Sequence, residues 1–216
     1  MSALQRSTLS PRPRVRKAEK SEQTLAAIVA TGFEIAKAQG LQAVSLTSVA
    51  KALGISKGGV ALRAGSLEQL QHMVVDVYEA QFIRAVYEPA MQQPRGVARL
   101  DALVHGWMAQ GIDLNTLIGS LYGMCAFHMD SAPQPLRARL LQGFRRWQET
   151  LEFSVRQAIQ MQHLRSDTDA EQLVFEIFGL MVSFSYAELM LRKGDGFARA
   201  KAAYGRLMWP YRSINP

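Results

Sequence analysis

The segment "GLQAVSLTSVAKALGISKGGVALRAGS", residues 40 to 66, is punctuated by helix starters and stoppers too closely for anything but helices of about two turns. Ser45 is a good N-cap for "LTSVAKAL", which carries Leu46, Val49, Ala50 and Leu53 on one face, and Gly54 ends it. Ser56 caps "KGGVALRA", Gly65-Ser66 breaks the chain again, and Ser66 with Gln69 has the form of a capping box. Two short helices joined by a Gly-containing turn and backed by a third describe a helix-turn-helix unit. In such a unit Val49 and Ala50 pack inward, Ala50 is small enough for the second helix to cross closely, and Ile55 is expected to plug the underside of the turn. Gly58 and Gly59 each cost up to about 1 kcal/mol relative to alanine inside a helix. Without side chains, they let the backbone come close to something outside.

The rest of the chain is helical in pattern too. A first helix is expected from Ser21, with Leu25, Ile28, Val29, Gly32 and Ala36 at helical spacing and Gly40 as its stop. A longer one is expected over 67–87, with Leu70, Met73, Val74, Val77 and Gln81 inward and Pro89 and Pro94 as its bounds. Further helices are expected over 96–110, 115–129, 135–163, 169–192 and 196–209. The sequence thus predicts an all-α chain of about nine helices and no strand. Its divisions are a basic flexible arm (1–20), a three-helix helix-turn-helix domain (21–66) and a helical body (67–210).

Charge is distributed unevenly along these parts. The net charge is +7 over 216 residues. Residues 1–66 hold ten basic and three acidic residues, whereas residues 67–216 hold fifteen of each. The first third therefore carries the whole imbalance, as a polyanion-binding end attached to a neutral body does, although a merely solvated basic tail has the same composition. No apolar run reaches the roughly 18 residues that cross a bilayer. The start, "MSALQRSTLSPRPRVRKAEK", lacks the apolar segment of a secretory signal. One cysteine, Cys125, forbids an internal disulfide, which fits a reducing compartment. A cytoplasmic protein without membrane contact is expected.

The stretch "GLQAVSLTSVAKALGISKGGVALRAGSLEQL" resembles the DNA-binding segment of the Tet repressor (TetR) family of transcription regulators. The likeness covers about residues 24 to 78 and rests on the spacing and on the Val-Ala, Gly-Ile-Ser-Lys-Gly and Ser-x-Glu-x-Leu pieces. "RRWQETLEFSVRQAIQMQHLRSDTDAEQLVFEIFGL" is also similar to one C-terminal domain type of that family. The resemblance implies a homodimer that holds a palindromic operator in double-stranded DNA as a repressor and is released by a small effector, with a helical domain for ligand binding and dimerisation. Ser45, Thr47 and Ser48, then Ser56, Lys57, Gly58, Gly59, Val60 and Arg63, are expected against DNA, and the arm residues Arg12, Arg14, Arg16 and Lys17, which lie outside the resemblance, are expected to join them. Departures stand beside the matches. Leu62-Arg63-Ala64 replaces the family's Tyr-His-Phe, and Leu67 replaces a lysine. Leu62 cannot donate a hydrogen bond, while Arg63 has a fork that fits phosphate or guanine. These losses keep open a second reading, a helical binding protein of this fold that has lost strong DNA contact. The basic arm can compensate along the backbone or in the minor groove.

In the body, Trp107, Met108, Tyr122, Met124, Phe127, Phe144 and Trp147, with Phe178, suit an apolar or aromatic ligand pocket, although each also suits ordinary core packing. The helix after "SDTDAEQ" is apolar nearly all round. Leu173, Ile177, Leu180, Met181 and Phe184 form one stripe; Val174, Phe178, Val182 and Leu189 form another. One stripe meets the core and the other a second subunit, or both lie inside one bundle. Tyr204 and Leu207 join Val174, Phe178, Val182 and Leu189 as dimer candidates. His72, His105, His128 and His163 have no metal-site spacing, and the glycines of "GISKGG" follow no strand and lack the order of a phosphate-binding loop. Neither an enzyme nor a cofactor or metal is expected.

Overall fold

The computed structural model describes residues 13–113, 134–191 and 194–213. Its elements are α1 (Pro13–Gln39), α2 (Leu46–Leu53), α3 (Lys57–Ala64), α4 (Leu67–Phe82), α5 (Glu88–Met91), α6 (Val97–Asp113), α7 (Gln134–Gln160), α8 (Ala170–Ser185) and α9 (Gly196–Met208). A one-residue bridge between Leu164 and Arg212 is the nearest approach to a strand among the described residues. The helix expected over 115–129 lies almost wholly outside them. No described helix is long and apolar enough to cross a membrane.

α1 begins at Pro13, eight residues before the expected start at Ser21. Basic composition suggested an arm, but "RVRKAEK" consists mostly of good helix formers. Proline suits a first helical position because its φ is preset and its missing N–H has no partner there anyway. The α1 face that packs on α4 holds Ile28, Gly32, Phe33 and Ala36, all buried. A Cβ on Gly32 would stand 3.0 Å from Val74 Cγ2, so glycine there sets how closely the two helices cross.

α4 leaves the α1 contact and runs on into the body. From α4 through the following turn into α5, Val74, Tyr78, Phe82, Val86 and Ala90 are all buried at every fourth position. Such a run drifts around a helix of about 3.6 residues per turn. A wider π turn at Ile83–Tyr87 takes up part of that drift, immediately ahead of Pro89. The helix therefore passes through Pro89 into α5 instead of ending before it, and Gln81, expected inward, is exposed while Phe82 is buried.

α6, α7, α8 and α9 pack as a bundle around Leu100, Leu103, Val104, Leu151, Val155, Leu173 and Ile177. Tyr204 on α9 donates to Asp101 Oδ1 on α6 at 2.9 Å, and burial raises its hydroxyl pKa well above the ordinary value, so it stays a donor. Arg212 reaches the other oxygen of Asp101 at 3.3 Å. The chain end is tied to the α7–α8 loop, with the Arg165 N–H donating to Tyr211 O and the Ser213 N–H to His163 O.

The α1–α4 crossing yields a direct prediction. Gly32→Leu should destabilise by about 1–3 kcal/mol in urea unfolding, as overpacking does. Val74→Ala in the same chain should restore part of that loss. A double-mutant cycle with no coupling between the two sites would disprove the close crossing.

Candidate functional site

The helix-turn-helix is built by local caps. Ser45 and Ser48 form a reciprocal box, with each hydroxyl accepting the other's N–H at 2.9 Å. Ser48 Oγ also donates to Ala43 O. The hydroxyls of these two candidate DNA contacts are thus engaged in starting α2, and Thr47 between them is exposed. Gly54 ends α2 in the left-handed region, φ 65°, which glycine adopts without strain. Ile55 was expected beneath the turn, yet it is exposed, and the buried apolar residues of α2 and α3 are Val49, Ala50, Val60 and Ala64. Ser66 and Gln69 form the expected capping box.

The two glycines of α3 have different surroundings. Ser56 Oγ accepts the Gly59 N–H at 3.0 Å, and a Cβ on Gly59 would meet that oxygen at 3.2 Å. The cap itself favours glycine at 59. A Cβ on Gly58 would meet nothing nearer than 4.0 Å, so the fold does not demand glycine at 58. Val60 is turned into the core, while Ser56, Lys57, Gly58 and Leu62 are exposed. Leu62 is 79% exposed. Arg63 is exposed but held: its Nη1 donates to Ser21 Oγ on α1 at 3.0 Å. Arg14, Arg16 and Lys17 lie on the first turns of that same helix, and Arg12 lies outside the described residues.

α4 joins this unit to the body by a charged and an aromatic contact. Arg139 on α7 grips Glu79 with both arms, at 2.8 and 2.6 Å, and Asp76 at 2.8 Å. Hydrogen bonding to Glu79, foremost, raises the pKa of the Arg139 guanidinium. Arg146, two turns along α7, donates to Glu79 at 3.1 Å. Beside this cluster runs a chain of rings. Phe82 meets Trp147 edge-on at 4.9 Å, Trp147 meets Trp107 at 5.5 Å, and Phe178 lies 4.9 Å from both Trp107 and Phe144. The described pocket candidates therefore pack against one another, with Met108 fully buried; Tyr122, Met124 and Phe127 lie outside the described residues. Open space lies nearer α4. A groove of about 480 Å³ is lined by Phe82, Ile83, Tyr87, Arg146, Trp147 and Thr150, among others. Sequence reading missed this cluster because partners some sixty residues apart show no local pattern. Its only trace is opposite charge at helical spacing, Asp76 with Glu79 and Arg139 with Arg146.

The dimer candidates divide. Val174 and Tyr204 are buried within the single chain, and Phe178 and Leu207 pack on its core, so Val174 and Tyr204 are corrected from partner-facing to core residues. Val182 is exposed, and Leu189 falls in the wide turn Tyr186–Met190. The outer stripe of α8 is Phe175, Gly179, Val182 and Tyr186, all exposed. Among the described residues no group of three His, Cys, Asp or Glu stands together as a metal site.

The model of the tetracyclin repressor-like C-terminal domain matches residues 96–204, the helical body just described. The chain belongs to the TetR family of transcriptional regulators. Solved TetR-type structures share its fold at low identity. A TetR transcriptional regulator from Chloroflexus aurantiacus J-10-FL superposes with a TM-score of 0.77 at 19% identity, over 90% of this chain and 98% of the other. A transcriptional regulator from Saccharomonospora viridis, solved in complex with choline, gives 0.70 at 18% identity, over 87% and 96%. AibR, solved with isovaleryl coenzyme A and operator DNA, gives 0.65 at 18%, over 86% and 96%. No curated protein matches in sequence.

The Arg139–Glu79 contact predicts a measurable coupling. Arg139→Ala and Glu79→Ala, alone and together, should give an interaction energy of about 1–3 kcal/mol in a double-mutant cycle. Both side chains are mostly covered, so the coupling should survive raised salt better than an exposed pair does. Additive losses would show that α4 is not held through this pair.

Proposed function

We propose that this TetR-family chain is a ligand-responsive repressor that binds a palindromic operator as a homodimer in the cytosol and lets go when a small effector enters its body. The observation that carries the reading is Gly58. It sits exposed in the first turn of α3, where the fold has no use for a missing side chain. Close approach of backbone to DNA gives it a use, and the unpaired N–H groups at that helix end suit a phosphate. Lys57 and Thr47 supply exposed polar contacts beside it, and the basic first turns of α1 supply charge. AibR, of like fold, was solved with operator DNA and an acyl-coenzyme A, and the Saccharomonospora viridis protein with choline, which supports a ligand-controlled DNA binder.

The dimer is proposed through the outer stripe of α8. Phe175 is 73% exposed and Tyr186 53%, and Gly179 between them leaves room for a facing helix. Apolar side chains aligned over three turns are costly to leave in water. A two-fold axis there would present two α3 helices to successive turns of one DNA face, hence the palindrome.

The weakened-binding alternative rests on a specific observation as well. The outward side of α3 offers Leu62 where a donor is usual for the family, and Arg63 is tied to Ser21. One experiment separates the two. Selection from random duplexes should return a palindrome, and Gly58→Ala should weaken its binding while raising protein stability by about 0.5–1 kcal/mol. Arg63→Ala and removal of residues 1–17 should each reduce affinity and flatten its salt dependence. Recovery of no preferred sequence would favour the alternative reading. For the dimer, Val182→Glu should turn a dimer into a monomer in light scattering at micromolar concentration; a wild-type monomer would defeat the proposed interface.

A further inference from the structure

We propose that Leu62 is a base-reading residue, which sets its side chain against the C5-methyl group of a thymine in the major groove. The inference rests on the regulator reading and names a base that the operator must hold. Its ground is the direction in which α3 turns its side chains. Successive residues of a helix turn by about 100°, so residues two before and two after a given position lie nearly opposite it. The residues at those places, Val60 and Ala64, are the buried ones of α3. Leu62 therefore stands at the centre of the outward face, and no large apolar side chain among the described residues is more exposed than its 79%. Gly58, four residues earlier, shares that face and is exposed too. A long side chain on a helix leans back over the preceding turn, so Leu62 leans toward Gly58. A missing side chain at 58 lets the backbone close on the groove, and the leucine methyls go in with it.

The chemistry of the groove narrows the partner to one group. Adenine, guanine and cytosine present hydrogen-bond donors and acceptors there, whereas thymine adds a methyl. A leucine side chain over a donor or acceptor takes its water away and returns no hydrogen bond. Over a methyl it buries apolar surface on both sides. Leu62 thus gains at thymine and loses at the other three bases. The charges around it suit the same surface. Lys57 is exposed on the first turn of α3, and Arg63, next to Leu62, is exposed with its Nη1 on Ser21. A leucine set between cations, in the part of the chain that carries the net charge of +7, faces a polyanion and not an apolar protein partner. The missing donor at 62 is on this account a change in what is read, not a loss of reading.

Selected duplexes test this with deoxyuridine, which keeps the pairing edge of thymine and lacks its methyl. In the palindrome returned by selection, deoxyuridine at one symmetric thymine should weaken binding of the full chain by about fourfold per half-site, the worth of one buried methyl group. Leu62→Ala, checked for native circular dichroism, should bind the thymine and deoxyuridine duplexes alike, both more weakly than the wild type binds thymine. Its salt dependence should stay that of the wild type, because no phosphate contact is lost. Selection repeated with Leu62→Ala should relax that position alone. A half-site without thymine, deoxyuridine without effect at every thymine, a deoxyuridine effect that persists in Leu62→Ala, or a flattened salt slope in that variant would each overturn the base reading and leave the regulator reading intact. Unchanged affinity in Leu62→Ala would overturn it as well and give the leucine to a protein partner. Recovery of no preferred sequence would strike the regulator reading itself, and the base reading with it.

Discussion

α4 is the one element that both halves of the molecule require. Its first turns pack on α1 through the close approach at Gly32 and Val74, and its later turns pack on α7 through Phe82 and Glu79. The wide turn before Pro89 lets one helix keep a buried residue every fourth position from Val74 to Ala90. The helix-turn-helix thus has no flexible hinge to the body along this path. Any displacement of α4 by the bundle must be felt by α1, because Gly32 leaves no slack at the crossing.

The two contacts that fix α4 to α7 differ in kind. The ring pair Phe82–Trp147 continues through Trp107 to Phe178, and close-packed interiors resist gradual deformation. The Arg139–Glu79–Arg146 cluster is directional, partly open to solvent, and has one member in excess.

What the sequence made legible was set by range. The caps at Ser45, Ser56 and Ser66 and the stops at Gly40 and Gly54 are contacts within a few residues, and the structure places them as read. The all-helical class followed from periodicity for the same reason. The start of α1 was missed because basic charge was weighed above the helix propensity of "RVRKAEK". Continuation through Pro89 was missed because a π turn has no sequence signature of its own. On α8, a helix apolar on nearly every side does not disclose which stripe is inside. Phe175 and Tyr186 stand out, while Val174 on the supposed outer stripe is fully buried. Among the described pocket candidates the aromatics pack against one another, a contact that periodicity alone does not show. The Arg139–Glu79 cluster depends on topology alone.

The recognition helix shows how one short element divides its demands. Gly59 answers to the fold, because its N–H closes the Ser56 cap and a Cβ would crowd that oxygen. Gly58 has no such demand on it among the described residues, where a Cβ would meet nothing nearer than 4.0 Å. Arg63, the strongest donor on the helix, is drawn back to Ser21 on α1, so a phosphate must displace or share that bond. Exchange of a neutral hydroxyl acceptor for an anionic one favours the phosphate, since charge-assisted hydrogen bonds are about twice as strong as neutral ones. Ser21 therefore holds Arg63 in place without competing seriously for it.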